Sequence, residues 1–255
     1  MSVRSIAATL AVLVAVGCSD ATEPEVLTTD AQPEFANANA SPNAADMRSY
    51  YVTIANLTAG QPLTPPLAVT HRRAADVFQV GDPASFGVKE IAENGNLAPL
   101  VSALEGSRHV SDLVVAVAGD PPPVLPGTSV TFEIEAEKGA QFFSFVSMLI
   151  CTNDGFTGLD SKKLPNGVGD QIVFETAGYD AGSEINTEDF ADIVPPCPAL
   201  TGVATMDTGS GMSHPALAEN GVIRHHPGVS GGNDLLTGLH GWTDPVARVT
   251  IRRID

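Results

Sequence analysis

Apolar and polar positions alternate with a period of two in three stretches of this chain, the mark of strands with one buried face. In residues 49–57, Tyr51, Thr53 and Ala55 share one side and Val52, Ile54 and Asn56 the other. In residues 129–136, Val130, Phe132, Ile134 and Ala136 oppose Thr131, Glu133 and Glu135, and in residues 246–254 Val249 and Ile251 oppose Arg248, Thr250 and Arg252. Residues 142–151 are apolar nearly throughout, which predicts a central strand covered on both sides. Residues 110–118 make a further strand, ended by Gly119-Asp120-Pro121-Pro122-Pro123, which cannot continue a ladder. Residues 83–93 and 96–104 instead show helical spacing, with Pro and Asn near their starts. The expectation is an all-β fold capped by one or two short peripheral helices.

The N-terminus has a different texture. Arg4 supplies a positive start, and residues 6–16 form an apolar run too short to span a bilayer. Ala15-Val16-Gly17-Cys18 then reads as a lipoprotein-type processing site, with cleavage as a plain secretory leader the rival, since Ala15 stands where Leu is usual. Acylation of Cys18 would tether the protein, each buried methylene adding about 0.8 kcal/mol of membrane affinity. Ser19 is not the aspartate that retains such proteins at an inner membrane, so the expected location is the outer membrane or cell surface, or secretion. Residues 19–46 are rich in Ala, Asn, Thr, Pro and acids and lack the apolar content that offsets ordering entropy. The expected organisation is a leader over 1–17, lipidated Cys18 and a stalk over 18–47, and a folded domain over 48–255.

The formal net charge of -17 restricts partners. Phosphate backbones are repelled, and no basic stripe with interleaved aromatics offsets this, so nucleic acid is excluded as a partner. Membrane contact is expected through the lipid anchor alone. Acidity of this size also serves solubility.

Two acidic turns carry the candidate chemistry: Asn153-Asp154-Gly155-Phe156 after the apolar run, and Tyr179-Asp180-Ala181-Gly182-Ser183-Glu184 after residues 171–175. With the first strand, the run 144–150 and the closing stretch 244–251, they occur in the order of a known family, and the chain from about Arg48 onward resembles the spondin-type domain, the F-spondin/mindin N-terminal family. The resemblance implies a C2-like antiparallel β-sandwich that binds calcium at one end, with Asp154, Asp180 and Glu184 as ligands. It further implies adhesion to an unidentified surface, matrix or envelope protein or glycan. Gly155 stands where the family often has Trp, and Glu184 where it often has Asp, one methylene shorter. Converging loop carboxylates repel unless a cation sits among them, and oxygen ligands without His or Cys favour calcium. On composition alone Asp154 and Asp180 fit ordinary turns, Asp180 as an Asx-turn residue, and Glu184 a solvated rim. Asp160 and Asp189 are lesser candidates, Asp207 and Asp234 sit in Gly/Ser-rich loops, and the segment around Glu188 reads as a helix or turn start.

With Cys18 assigned to lipid, Cys151 and Cys197 remain, an even pair in an oxidising compartment and so an expected disulfide. Gly228-Val229-Ser230-Gly231-Gly232 fits Gly-x-Ser-x-Gly, but no strand pattern precedes it and no helix pattern follows. His214, His225, His226 and His240 lack the spacing of a zinc helix. The expectation is a binding module without catalysis. The alternatives are a structural component of an envelope assembly and a serine or metal-assisted hydrolase.

Overall fold

The computed structural model describes residues 47–255 apart from 118, 120, 121 and 208; the predicted leader, Cys18 and nearly all of the predicted stalk lie outside the described residues. Every described element belongs to one compact unit, Ser41–Asp255. No helix among the described residues is long and apolar enough to cross a membrane.

Among the described residues ten strands form two antiparallel sheets. The first holds β1 (Met47–Asn56), β4 (Ser129–Glu137), β7 (Gln171–Thr176) and β10 (Ala247–Arg253), in the order β4-β1-β10-β7. The second holds β2 (Leu67–His71), β3 (Val110–Val115), β5 (Phe142–Met148), β6 (Gly155–Lys163), β8 (Gly178–Asp180) and β9 (Arg224–His225), in the order β3-β2-β5-β6-β8-β9. The all-β fold expected from the alternation, and the antiparallel sandwich that the resemblance implies, are what is observed.

Between the sheets the inward residues of β1, Tyr50, Val52 and Ile54, pack with Ile134, Phe143, Phe145, Val249 and Ile251. A second core lies on the far side of β5, where Val146, Met148 and Phe156 meet Val88, Ile91 and Ala92 of α1 (Phe86–Asn94) and Leu100 and Leu104 of α2 (Ala98–Glu105). β5 therefore feeds both cores with alternate residues, which is why it carries no polar face to solvent. Helix α1 starts where the Ser85 side chain accepts the Val88 N–H and stops at Gly95, whose φ of 65° suits glycine. Two further helices, α3 (Pro196–Thr201) and α4 (Thr237–His240), lie in the long connection to β10.

Side chains stitch the sheets together along both flanks. On one flank Ser111 Oγ accepts the Glu137 N–H at 2.7 Å and Asp112 Oδ2 the Glu135 N–H at 2.8 Å, so β3 caps the outer amides of β4. On the other, the hydroxyls of Thr157 and Thr176 meet at 2.7 Å, joining β6 to β7. Strand registers place Met47, Glu137, Phe142, Lys163 and Arg253 at one end of the sandwich and Asn56, Ser129, Met148, Gly155 and Ala247 at the other.

Candidate metal site

The two acidic turns meet at that second end. Gly155 pairs with Asp180 across β6 and β8, and the Ala181 N–H donates to the Asp154 carbonyl at 3.0 Å, so Asp154 and Asp180 become neighbours although 26 positions separate them in the numbering. Asp154 is fully buried. Its Oδ2 accepts the Ser183 N–H at 2.7 Å, the Glu184 N–H at 3.0 Å and the Ser183 hydroxyl at 3.3 Å, shaping the second turn. Its Oδ1 is buried and has no hydrogen-bond partner. Gly182 serves the same turn: φ is +67°, and a Cβ there would lie 2.6 Å from the Val222 carbonyl oxygen.

Asp180 is also fully buried but well partnered. Oδ1 accepts the Gly182 N–H at 2.8 Å, the expected Asx-turn, while Oδ2 accepts from Asn186 Nδ2 at 2.8 Å and from the Arg224 guanidinium at 3.1 Å. Arg224 faces Asp180 because β8 and β9 pair these residues directly. Glu184 is buried, not a solvated rim charge, and Oε1 accepts the His214 N–H at 2.6 Å. Gly155 leaves the space that Thr152 fills: a Cβ at 155 would sit 2.4 Å from the Thr152 hydroxyl, which itself accepts the Gly155 N–H.

A fourth carboxylate, not singled out by the sequence, belongs here. Glu93 lies in the last turn of α1 with its side chain fully buried, both oxygens lack hydrogen bonds, and Lys89 Nζ stands 3.5 Å away as an ion-pair partner one turn earlier. Burial pushes the Asp154 pKa up to about 6, the Asp180 charge adds to this, and the N–H donors of Glu184 and Ser183 oppose it. Burial likewise pushes Glu184 up to about 7; the His214 N–H lowers it, Glu93 and Asp154 raise it further, and Lys89 lowers it.

The candidate ligands are all oxygen, and buried oxygens of Asp154 and Glu93 have no hydrogen-bond donor, a set that fits a hard divalent cation. The three acids read from the sequence meet unequally. Asp154 and Glu184 share a hydrogen-bonded turn, whereas Asp180 already has a guanidinium, and among the described residues no three of Glu93, Asp154, Asp180 and Glu184 bring oxygens within 4.8 Å of one another. Asp189, Asp207 and Asp234 do. That trio is more exposed, and its members have backbone duties: Asp189 accepts the Ala191 N–H and Asp234 the Phe190 N–H. Asp160 lies on β6 and accepts the Val77 N–H and the Ser144 hydroxyl, a packing role away from the turns.

The Gly-x-Ser-x-Gly match resolves into a clasp. The Ser230, Gly231 and Gly232 N–H groups all donate to the Glu188 carboxylate. Burial works against that carboxylate, but these donors hold its pKa below the ordinary value. The histidines are dispersed: His214 stands 3.6 Å from Asp192, His225 bonds Asp244, His226 packs on Trp242, and His240 lies beside the disulfide. Cys151 and Cys197 form that disulfide, both fully buried.

The family model described as Spondin_N matches residues 58–190, which contain Glu93, Asp154, Asp180 and Glu184. Spondin-2 of Homo sapiens is 29% identical over 157 residues, covering 59% of this chain and 45% of that protein. Spondin-2 of Rattus norvegicus is 29% identical over 157 residues, covering 59% of this chain and 46% of that protein. The chain spans about half the length of the curated relatives it matches.

Proposed function

We propose, from the premise that this chain belongs to the spondin N-terminal domain family, that it is an extracellular adhesion module without catalysis, with a calcium ion held by Asp154, Glu184 and Glu93 beside Asp180. The observation that carries the metal is the buried Oδ1 of Asp154, an acceptor without a donor next to two further buried acids. A bound calcium ion would supply the positive charge that lets these carboxylates stay ionised and would order the loops presenting a binding surface. The chain's own residues do the rest: Asp154 fixes the turn through Oδ2, Arg224 pairs with Asp180, and α1 supplies the buried Glu93 close enough to Glu184 to raise its pKa.

The absence of catalysis is supported by the Glu188 clasp, because the amides around Ser230 are spent on a carboxylate and not on a developing oxyanion. Its placement is read from Cys18: an acylated anchor and stalk at an outer membrane or cell surface, with a matrix, surface or envelope protein or glycan as partner. Thermal melting in calcium and in chelator tests the metal. A calcium-dependent rise in Tm that vanishes in Asp154→Asn, with the variant still melting cooperatively and no lower than the parent in chelator, is expected; an identical rise in the variant would move the ion elsewhere.

A further inference from the structure

A sheet ends at strands whose outer N–H and C=O groups have no neighbouring strand, and this fold treats its borders unequally. On β4, Asp112 and Ser111 take the N–H groups of Glu135 and Glu137. Beyond the stretch of β6 that pairs with β8, that strand is guarded by Ser161, whose φ is 51°, by a register shift against β5, and by exposed Lys162 and Lys163. β9 is only two residues long. β7 carries none of these devices: Gln171-Ile172-Val173-Phe174-Glu175-Thr176 has no Pro, Gly or Lys, and its register with β10 is unbroken. The Asp170 carbonyl accepts the Arg253 N–H, so even-numbered residues turn their backbone groups toward β10, and Gln171, Val173 and Glu175 turn theirs outward. Among the described residues no backbone hydrogen bond reaches these three outward residues. Their side chains are exposed too, Val173 to 49%.

We infer that β7 is a docking edge for a second copy of this chain, the two strands pairing antiparallel about a twofold axis at Val173. The strand is complementary to itself in that register. Val173 meets its own copy, Ile172 meets Phe174, and Gln171 meets Glu175, so apolar side chains face apolar ones and an amide faces a carboxylate. The residues that fall opposite one another as hydrogen-bonded pairs are then Gln171, Val173 and Glu175, whose backbone groups already point outward. Charges at the seam do not oppose. Arg248 holds the Glu175 carboxylate at 2.8 Å, and Arg252 stands beside Gln171, so a row across the seam reads Arg252, Gln171, then Glu175 and Arg248 of the copy. Asp170, the other acid at this border, falls opposite Thr176 of the copy. The net charge of -17 opposes self-association at a distance, but at physiological salt that repulsion is screened beyond about 8 Å. Twofold pairing uses up the edge it needs, so assembly stops at two. A six-residue seam is small, and the dimer is accordingly a weak one. Antiparallel pairing also turns the copies end for end, so their acidic turns point in opposite directions. The dimer stands without the adhesion reading; joined to it, a doubled module bridges two surfaces.

The test is sedimentation equilibrium in chelator, up to about 1 mM, on the chain without residues 1–18, which retains the whole compact unit. A monomer–dimer equilibrium is expected. Val173→Lys and Val173→Glu each set a like charge against itself at the twofold and should weaken the dimer at least about tenfold, whereas an equal mixture of the two should form a heterodimer. Val173→Pro removes an outward N–H and no bond to β10, and should leave a monomer. Melting curves check that every variant is folded. In Val173→Cys the new thiol is the only free one, Cys151 and Cys197 being bonded to each other, and mild oxidation should link two chains. Val168→Cys, in the exposed loop before β7, should link far more slowly. A monomer at every concentration overturns the inference and leaves the edge to an extended segment of another protein. A dimer indifferent to the Val173 variants, a Lys/Glu mixture that stays monomeric, or oligomers that grow without limit overturn it as well. Each of these can occur with the calcium-dependent Tm shift intact, so this inference and the metal proposal fail separately.

Discussion

At Asp154 the two oxygens of one carboxylate do opposite work, one saturated by three donors and the other buried without any. Asp154→Asn keeps an acceptor for the turn and turns an amide toward the neighbouring acids, so in chelator the variant should melt several degrees above the parent. Removing a charge whose burial raises its pKa to about 6 relieves on the order of 3 kcal/mol before relaxation. Glu184 gives the pH dependence. Its folded pKa of about 7 lies above the ordinary glutamate value of 4.5, so between these the unfolded chain releases a proton that the folded chain keeps. Stability in chelator therefore falls as pH rises through that window. Parent and Glu184→Gln should melt alike near pH 4.5, and the parent should fall behind progressively up to pH 7, then stay behind; saturating calcium should reverse the order. Glu188→Ala removes the acceptor for three amides, and a cost of about 1–2 kcal/mol with faster hydrogen exchange at residues 230–232 is expected. The acids of the two turns were legible because turn composition exposes them in the sequence. Glu93 was not, since one carboxylate just past the Ile91-Ala92 stripe looks like the edge of an ordinary amphipathic helix. Arg224 was equally silent, because its role comes from a two-residue strand that no periodicity announces.

At the level of elements, alternation carried β1, β4 and β10, and helical spacing with capping residues carried α1 and α2. Each has one wet and one dry side, so its period is written in the chain. β2 carries no such record, being five residues long and buried throughout. β6 was hidden for another reason: Gly155, read as part of a turn, already belongs to the strand, and Gly158 and Asp160 have weak strand preference. The region from residue 181 to 246 is held by backbone clasps and by the Cys151–Cys197 bond, none of which leaves a periodic trace. That bond closes a loop with a sequence separation of 46, which the chain-entropy model values at about 3–4 kcal/mol. Treatment with a dithiol reductant should lower Tm by many degrees, and the non-reduced folded protein should resist alkylation; two alkylatable thiols there would refute the bond.

For the whole molecule, both cores close within the unit that begins at Ser41. Removing residues 1–40 should leave Tm and cooperativity unchanged, and a lowered Tm would show that the early segment contributes to the fold. Which charged residues become neighbours belongs to this scale and could not be read along the chain, because Arg72, Arg73, Arg108, Lys162 and Lys163 come from three separate segments brought together by strand pairing. The capped amides of β4 have a consequence of their own. Where Asp112 and Ser111 already take the Glu135 and Glu137 N–H groups, the end of this border offers those donors to no extended backbone of a neighbouring copy. In concentrated solution, this stretch of the protein is thereby kept from seeding fibrous stacks.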